Sequence, residues 1–515
     1  MNPESNGAVD LSLTDIQRVL SQVWADVLET ESVGLDDNFF ALGGNSMLAV
    51  RALVDAESRG IVTTLVDILD SPTIRELSQV ASAAEDAPDG DPASSAQAII
   101  AAEPVAEGPQ IGAASLLQQG LLFESELRPG VAYLDVVSHR VRLPFDETAL
   151  RSALDILTAR HEALRTGFNL ADYDEVMRVT EASASITVHV HDARAGQHEV
   201  DLTDAVACAG QEFELTTAPL IRVCVSAADD SSFWLTYGFH HAIMDGWSET
   251  VFASELMSGY ASILRGAVPT LPPAVAGMDE LVRREREALT SPDAQQFWSA
   301  YTESLPQARP RPVGGQTVRT RADVDPEVVA DLVRAAARTG LPVKSFALAA
   351  HLVAWGEVHA LDTPSTGIVI NGRPPALGAE RMIGLFLNLL PLHCRVDAMG
   401  AELVRRVFKA ERQITAFGNF PYLKIREMAG HALFDVALNY VEFEKRPEAW
   451  IDESHIVDTT SLPLLIEVVH ESSRGAIRVE GSASAELWTN EDLKAMTSAY
   501  ITALTQLVSD AKGRR

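Results

Sequence analysis

One stretch of this chain lacks the side chains from which a core is built, and its position divides the rest. Residues 83–110, AAEDAPDGDPASSAQAIIAAEPVAEGPQ, are rich in Ala, Asp, Pro, Gly and Ser. Such a segment cannot bury enough apolar surface to offset the entropy of ordering it, so it reads as a flexible linker. A coil of these 28 residues has a root-mean-square span of roughly 30 Å, enough to let a small unit visit more than one place on its neighbour. The part after the linker, about 400 residues, is generous for one core, so two lobes with a cleft between them are expected, about 111–285 and 286–515.

Charge narrows the partners. The 515 residues carry a formal charge of −31, which repels nucleic acid and anionic membrane surfaces and leaves small molecules or proteins. The longest apolar run, near SFALAAHLVAWG at 345–356, is too short to span a bilayer. Cys208, Cys224 and Cys394 are widely separated, form no CxxC pair and are too few for a disulfide scaffold or a structural zinc site. A reducing cytoplasmic setting is the expectation, with no metal.

Before the linker the pattern is helical. Ile16, Val19, Leu20, Val23 and Val27 recur at helical spacing and predict a helix near 13–28. In DNFFALGGNSMLAVRALVDAESRG, Gly43 and Gly44 break the chain, and Ser46 stands where a second helix begins, running to about Arg59. In SPTIRELSQVA, Ser71 is the expected cap, with Pro72 at the first helical position. A serine at a helix start is ordinarily only a cap. Its surroundings add more: DNFFALGGNSMLAV, with DSPTIREL further on, resembles the carrier proteins of nonribosomal peptide synthetases over residues 11–82. The resemblance implies a small all-α four-helix carrier bundle over 1–82 whose Ser46 bears a covalent 4′-phosphopantetheine arm. A phosphodiester suits an exposed helix start. Asn45 departs from the Asp or His usual before that serine, a change expected to tune the site without abolishing it.

After the linker, strand-like and helical segments alternate to a last helix near 490–509, an α/β pattern. SSFWLTYGFH is β-prone and ends at His240, while WSETVFASELMSGYASIL has helical spacing, so HAIMDG is the loop between them. Rigidly held loops are common places for chemistry, although a lone histidine beside a strand is usually a core residue and Asp-Gly before a helix usually a turn.

The full pattern HHxxxDG is more specific. With RHEALRTGF at 160–168 and INGRPPALGAERMIGLFLNLLPL at 370–392, it resembles the condensation domains of nonribosomal peptide synthetases, two-lobed α/β proteins similar to chloramphenicol acetyltransferase. FPYLKIREMAG and LFDVALNYVEF are weaker counterparts, and together these segments cover about 111–510. The resemblance implies that His241 faces the reacting groups and His240 orients the loop. It implies that Asp245 is structural, pairing with Arg165 or, in reserve, Arg160. Gly246 is expected to let substrate approach and to offer its amide to a developing oxyanion. Asn388 is expected near the cleft from the other lobe. Leu389 replaces the threonine common after that asparagine, and no counterpart of the family's Tyr/Asp/Trp motif occurs near AGMDELVRRERE.

The implied reaction is peptide-bond formation, from a donor thioester on the Ser46 arm to the amine of an aminoacyl thioester on a downstream carrier. The implied partners are a phosphopantetheinyl transferase, an upstream adenylation domain and that downstream carrier. A cleft open at two faces follows. Three rival readings are an epimerisation domain, whose acidic motif is not found in 300–515, a catalytically inactive domain recruiting partner proteins, and an acyltransferase using soluble coenzyme A thioesters. A cyclisation domain would carry aspartates in place of the histidine pair.

Overall fold

A computed structural model describes the chain apart from residues 1–11, 29, 45, 64–66, 69–70, 84–107, 129–132, 193–201, 228, 272–274, 276, 309–316, 375, 377, 444–449, 458–461 and 513–515. The linker, save its ends, and Asn45 therefore lie outside the described residues.

The N-terminal unit is built from the helices Leu13–Val27, Ser46–Ser58 and Ile74–Val80, with a two-stranded pair of β1 (Ile61–Val62) and β2 (Ser82–Ala83). Residues 67 and 68 are also helical. Ile16, Leu20, Val23 and Trp24 bury one face of the first helix, and Trp24 meets the Phe39 ring edge-on at 4.8 Å. The expectation of a cap at Ser71 is corrected: the last helix begins at Ile74 and its cap is Thr73, whose hydroxyl accepts from the Glu76 amide and donates to the Glu76 carboxylate. A hydroxyl three residues before a glutamate satisfies two groups at once, and Ser71 has no acid at that spacing.

Among the described residues the larger unit holds three sheets. β3 (Gln110–Ala113), β5 (Thr166–Asn169) and β6 (Met177–Thr180) form a small one in the order β3-β6-β5. β4 (Leu134–Val141), β7 (Thr187–Asp192), β8 (Ile221–Ala227), β9 (Phe233–His240) and β14 (Ile451–Val457) form a second, in the order β14-β4-β9-β8-β7. The third joins β10 (Thr317–Asp323), β11 (Ser365–Asn371), β12 (Leu387–His393), β13 (Ala437–Phe443), β15 (Leu464–Glu471) and β16 (Ala476–Ser484) in the order β10-β16-β15-β13-β11-β12. The division near residue 285 is crossed by β14, from the second half, which pairs antiparallel with β4 of the first.

The apolar run 345–356 becomes the buried stretch of the helix Val343–His359, packed with the C-terminal helix Asn490–Lys512 against the six-stranded sheet. Among the described residues no helix is long and apolar enough to cross a membrane. Two of the three cysteines, widely separated in the sequence and too few for a disulfide scaffold, nevertheless meet. Cys208, in the helix Thr203–Ala209, is disulfide-bonded to Cys224 of β8, because that helix lies on the strand and brings the two Cα atoms to 6.7 Å. Cys394 is free and buried.

β9 carries the site. It is central in its sheet and buried along its whole length, with the helix Gly246–Leu264 contributing to the core on one face and Thr203–Ala209 covering the other. Gly238 is where that second helix comes closest: a Cβ there would overlap the Ala209 carbonyl oxygen. Gly238→Ala is therefore expected to cost about 1–3 kcal/mol, because backbone cannot yield as a flexible side chain does. Denaturant unfolding of the variant checks this, and a midpoint like that of the parent protein would contradict it.

Candidate active site

β9 ends at His240, and residues His241–Ile243 make one tight 3-10 turn before Asp245 caps the helix Gly246–Leu264. The two histidines face different surroundings. His240 is buried: its Nδ1 accepts from the Ala242 amide at 3.1 Å, and its Nε2 lies 2.9 Å from the Ser125 hydroxyl. Ser125 in turn donates to the Leu121 carbonyl, so the pattern closes with the His240 proton on Nε2. Burial, and then the neighbouring His241, lower its pKa to about 4, so His240 is a neutral anchor for the loop. Gln118 adds a second anchor, donating to the Ala242 carbonyl at 2.8 Å.

His241 instead opens to the cleft. Its side chain is 26% exposed, its Nδ1 lies 2.7 Å from Asp135 Oδ2, and its amide donates to the Tyr133 carbonyl at 2.8 Å. The cleft around it is lined from the first half by Asp135, His139, Gly246 and Trp247, and from the second by Asn371, Arg373 and Ser454. His241 thus lies toward the cleft and His240 behind it.

Asp245 is buried, and its partner is neither of the arginines expected. Its carboxylate is fully buried and receives Arg373 in a fork, with Nη1 to Oδ2 at 3.1 Å and Nη2 to Oδ1 at 3.0 Å. The amides of Ser248 and Phe386 donate to the same two oxygens. Burial alone would raise this carboxyl's pKa; the Arg373 charge and the hydrogen bonds outweigh it and hold the group below its ordinary value. Ser248 both donates to the Gly384 carbonyl and accepts from the Gly384 amide, so the loop is fastened to segment 373–386.

The expected pairing with Arg165 is therefore wrong. Arg165 donates to the backbone carbonyls of Thr158 and Glu181. Arg160 is bound to Glu255, farther along the helix Gly246–Leu264. Both are committed away from the helix N-terminus, where Asp245 sits.

Asn388 borders the cleft, but its side chain serves the backbone: Nδ2 donates to the carbonyls of Gly418 and Phe420, and Oδ1 accepts from the amides of Leu389 and Tyr422. With donor and acceptor both engaged, it positions segment 418–422. Gly246 opens its helix, where an amide has no intrahelical acceptor, and a Cβ there would meet nothing within 4 Å. Its amide can therefore serve a developing negative charge.

In the N-terminal unit, Ser46 is the first residue of the helix Ser46–Ser58, whose first turn contains no acid. Gly44 lets the chain fold tightly onto Phe39 before that helix, since a Cβ at this position would overlap the Phe39 ring. An attached phosphodiester fits this helix start, which meets it with positive dipole and no like charge in the first turn.

Comparison with known proteins agrees with this geometry. The condensation domain family matches residues 110–514, and the phosphopantetheine attachment site family matches 18–81. The AMB antimetabolite synthetase AmbE of Pseudomonas aeruginosa is 30% identical over 96% of this chain, which covers 24% of that protein. Malpibaldin synthetase of Mortierella alpina is 28% identical over 95% of the chain, covering 9% of the relative, so the chain spans a small part of each. Among solved structures, the first condensation domain of the CDA synthetase superposes with a TM-score of 0.66 at 17% identity, over 78% of this chain and 97% of the other. The X-domain from teicoplanin biosynthesis gives 0.65 at 22%, over 78% and 96%. The chain belongs to the condensation domain family, the amide-forming acyltransferases of nonribosomal peptide synthetases, and joins such a domain to a preceding carrier of the phosphopantetheine attachment family.

Proposed function

We propose that this chain forms a peptide bond by moving the acyl group of a donor thioester held at Ser46 onto the amine of an aminoacyl thioester presented by a downstream carrier. The observation that carries this reading is the histidine loop: an accessible His241 is set in a cleft lined by both halves, and the loop is fastened across them by Asp245 and Arg373. A 4′-phosphopantetheine arm on Ser46 supplies the thiol to which the donor is attached. The protein's own residues position the reactants and move a proton. A thioester is already activated, so placing it against an amine supplies much of the rate, worth several kcal/mol in effective concentration. His241 is proposed as the group that receives the amine proton, and Gly246 as a donor toward the carbonyl oxygen.

The proposed division is a carrier at 1–82, a linker at 83–110 and a condensation unit at 111–515, its lobes meeting near 285. A phosphopantetheinyl transferase, an upstream adenylation domain and a downstream carrier are the proposed partners, in the cytoplasm. Ser46→Ala tests the donor assignment. After incubation with a phosphopantetheinyl transferase and an acyl coenzyme A, the variant is expected to gain no mass and to make no amide, while the parent protein does both. Loading of the variant, or amide formation without loading, would contradict the assignment.

A further inference from the structure

We infer that Asp135 is a positioning residue that directs His241 as a general base, a carboxylate–imidazole dyad built between β4 and the end of β9; this rests on the condensation reading above. Asp135 stands second in β4, opposite Phe239 in the antiparallel register with β9. It is 8% exposed, and its Oδ2 lies 2.7 Å from His241 Nδ1. The residues just before it hold the backbone of the same histidine. Tyr133 accepts from the His241 amide while adopting φ +57°, left-handed for a non-glycine residue, and its hydroxyl is tied to Glu124 at 2.9 Å. Ring and backbone of His241 are thus both referred to segment 133–135.

A carboxylate can only accept, so the neutral ring must donate from Nδ1 and present the Nε2 lone pair to the cleft. The partner arrangement of His240 imposes the opposite tautomer one residue earlier. Adjacent histidines are thereby sorted into an anchor and a base by what touches Nδ1, an amide in one case and a carboxylate in the other. In the step, the amine nitrogen attacks the thioester carbonyl, forming the C–N bond, and His241 Nε2 takes an amine proton. The carbonyl re-forms as the C–S bond breaks. Sulfur leaves with the bonding pair and takes the proton from the imidazolium, so the products are an amide and a thiol and the ring is neutral again. The Asp135 carboxylate holds the imidazolium that forms.

Titratable or charged groups lining the same cleft include His139 of β4, Glu249 in the first turn of the helix Gly246–Leu264 and Arg373 from the other half, with His240 and Asp245 buried. Asp245 and Arg373 neutralise one another, and His139 bonds Ser454, Tyr237 and Glu249.

The test is nitrogen NMR of ¹⁵N-labelled full-length protein, with the His241 signals assigned by their loss in His241→Ala. The parent protein is expected to hold neutral His241 with its proton on Nδ1. Asp135→Asn is expected to lose that preference, to move the ring's titration to lower pH, and to slow single-turnover amide formation about 100-fold with little change in apparent KM for the acceptor carrier. Asp135→Glu, which keeps the carboxylate, is expected to recover part of both. A parent ring protonated on Nε2 would overturn the inference, as would Asp135→Asn with an unchanged tautomer, pH profile and rate. A parent protein that makes no amide with any donor contradicts the condensation reading instead, whatever the ring shows.

Discussion

His241→Ala is expected to slow single-turnover amide formation by roughly 10²- to 10⁴-fold, the range that positioned proton transfer contributes, while loading at Ser46 is unchanged. The two effects separate because the ring takes little part in holding the loop. The backbone of 240–248 is fixed by His240 on Ser125, by Gln118 on the Ala242 carbonyl and by Asp245 on Arg373, none of which needs the His241 side chain. The ring, about a quarter exposed and open to the cleft, leaves no sealed cavity when it is removed. Unfolding should therefore stay within about 1 kcal/mol of the parent, as for substitutions away from core features. His240→Ala differs in kind: it strips a buried anchor and should lower stability and rate together. A variant His241→Ala that transfers within a few-fold of the parent would show that the amine, already partly neutral near pH 7, needs no base here.

Arg373→Ala is the substitution with the largest expected effect on stability, about 3–5 kcal/mol, because it leaves the Asp245 carboxylate buried without its cation. Arg373 also donates to Ser248 Oγ and to the Met382 carbonyl and lies over the Phe386 ring at 4.8 Å, so its loss frees the join between the histidine loop and segment 373–386 as well. The sign with pH is opposite in the two proteins. In the parent, the Asp245 carboxyl is held below its ordinary value, so its contribution is present above the unfolded value of about 3.9 and fades as pH falls through the lower folded value. Without Arg373, burial raises that carboxyl, and protonation relieves the unpaired charge, so the deficit of the variant should shrink between about pH 7 and pH 5. Urea unfolding of both proteins at the two pH values measures this; a deficit that is small or independent of pH would contradict the buried pairing. Arg165→Ala should leave the loop intact, since that guanidinium serves Thr158 and Glu181.

What the chain reveals by itself is mostly local. SSFWLTYGFH ends as a strand at His240, and the helix after Asp245 begins at Gly246, because β-prone and helical periodicities meet there with an Asp cap between them. Ser46 at its helix start and the helix Leu13–Val27 were legible for the same reason. What failed was distance along the chain. Arg373 lies 128 residues from Asp245, and only the order of the loop and sheet elements brings them together. It stood inside INGRPP, a stretch singled out for other reasons, while RHEALR offered two nearer arginines.

Asp135 was missed in the same way, its partner being 106 residues off. It did leave a trace. LDVVSHRV places Asp135 and His139 at alternate positions on the same strand face as Val137 and Val141, which belong to the core, and ionisable groups on such a face require partners. Thr73 was likewise readable from Glu76 three residues on. The pairing of Cys208 with Cys224 and the crossing of β14 to β4 are tertiary facts with no local signal.

The central claim is that the acyl group leaves Ser46 through this cleft. Its most direct test is intact mass of both proteins after the parent chain, carrying an N-blocked aminoacyl arm, is mixed with a downstream carrier bearing a free aminoacyl thioester. Ser46 is expected to retain only the unacylated arm, and the downstream carrier to gain the acyl mass. An N-blocked acyl group that remains on Ser46, with both masses unchanged and each carrier confirmed as loaded, would contradict it.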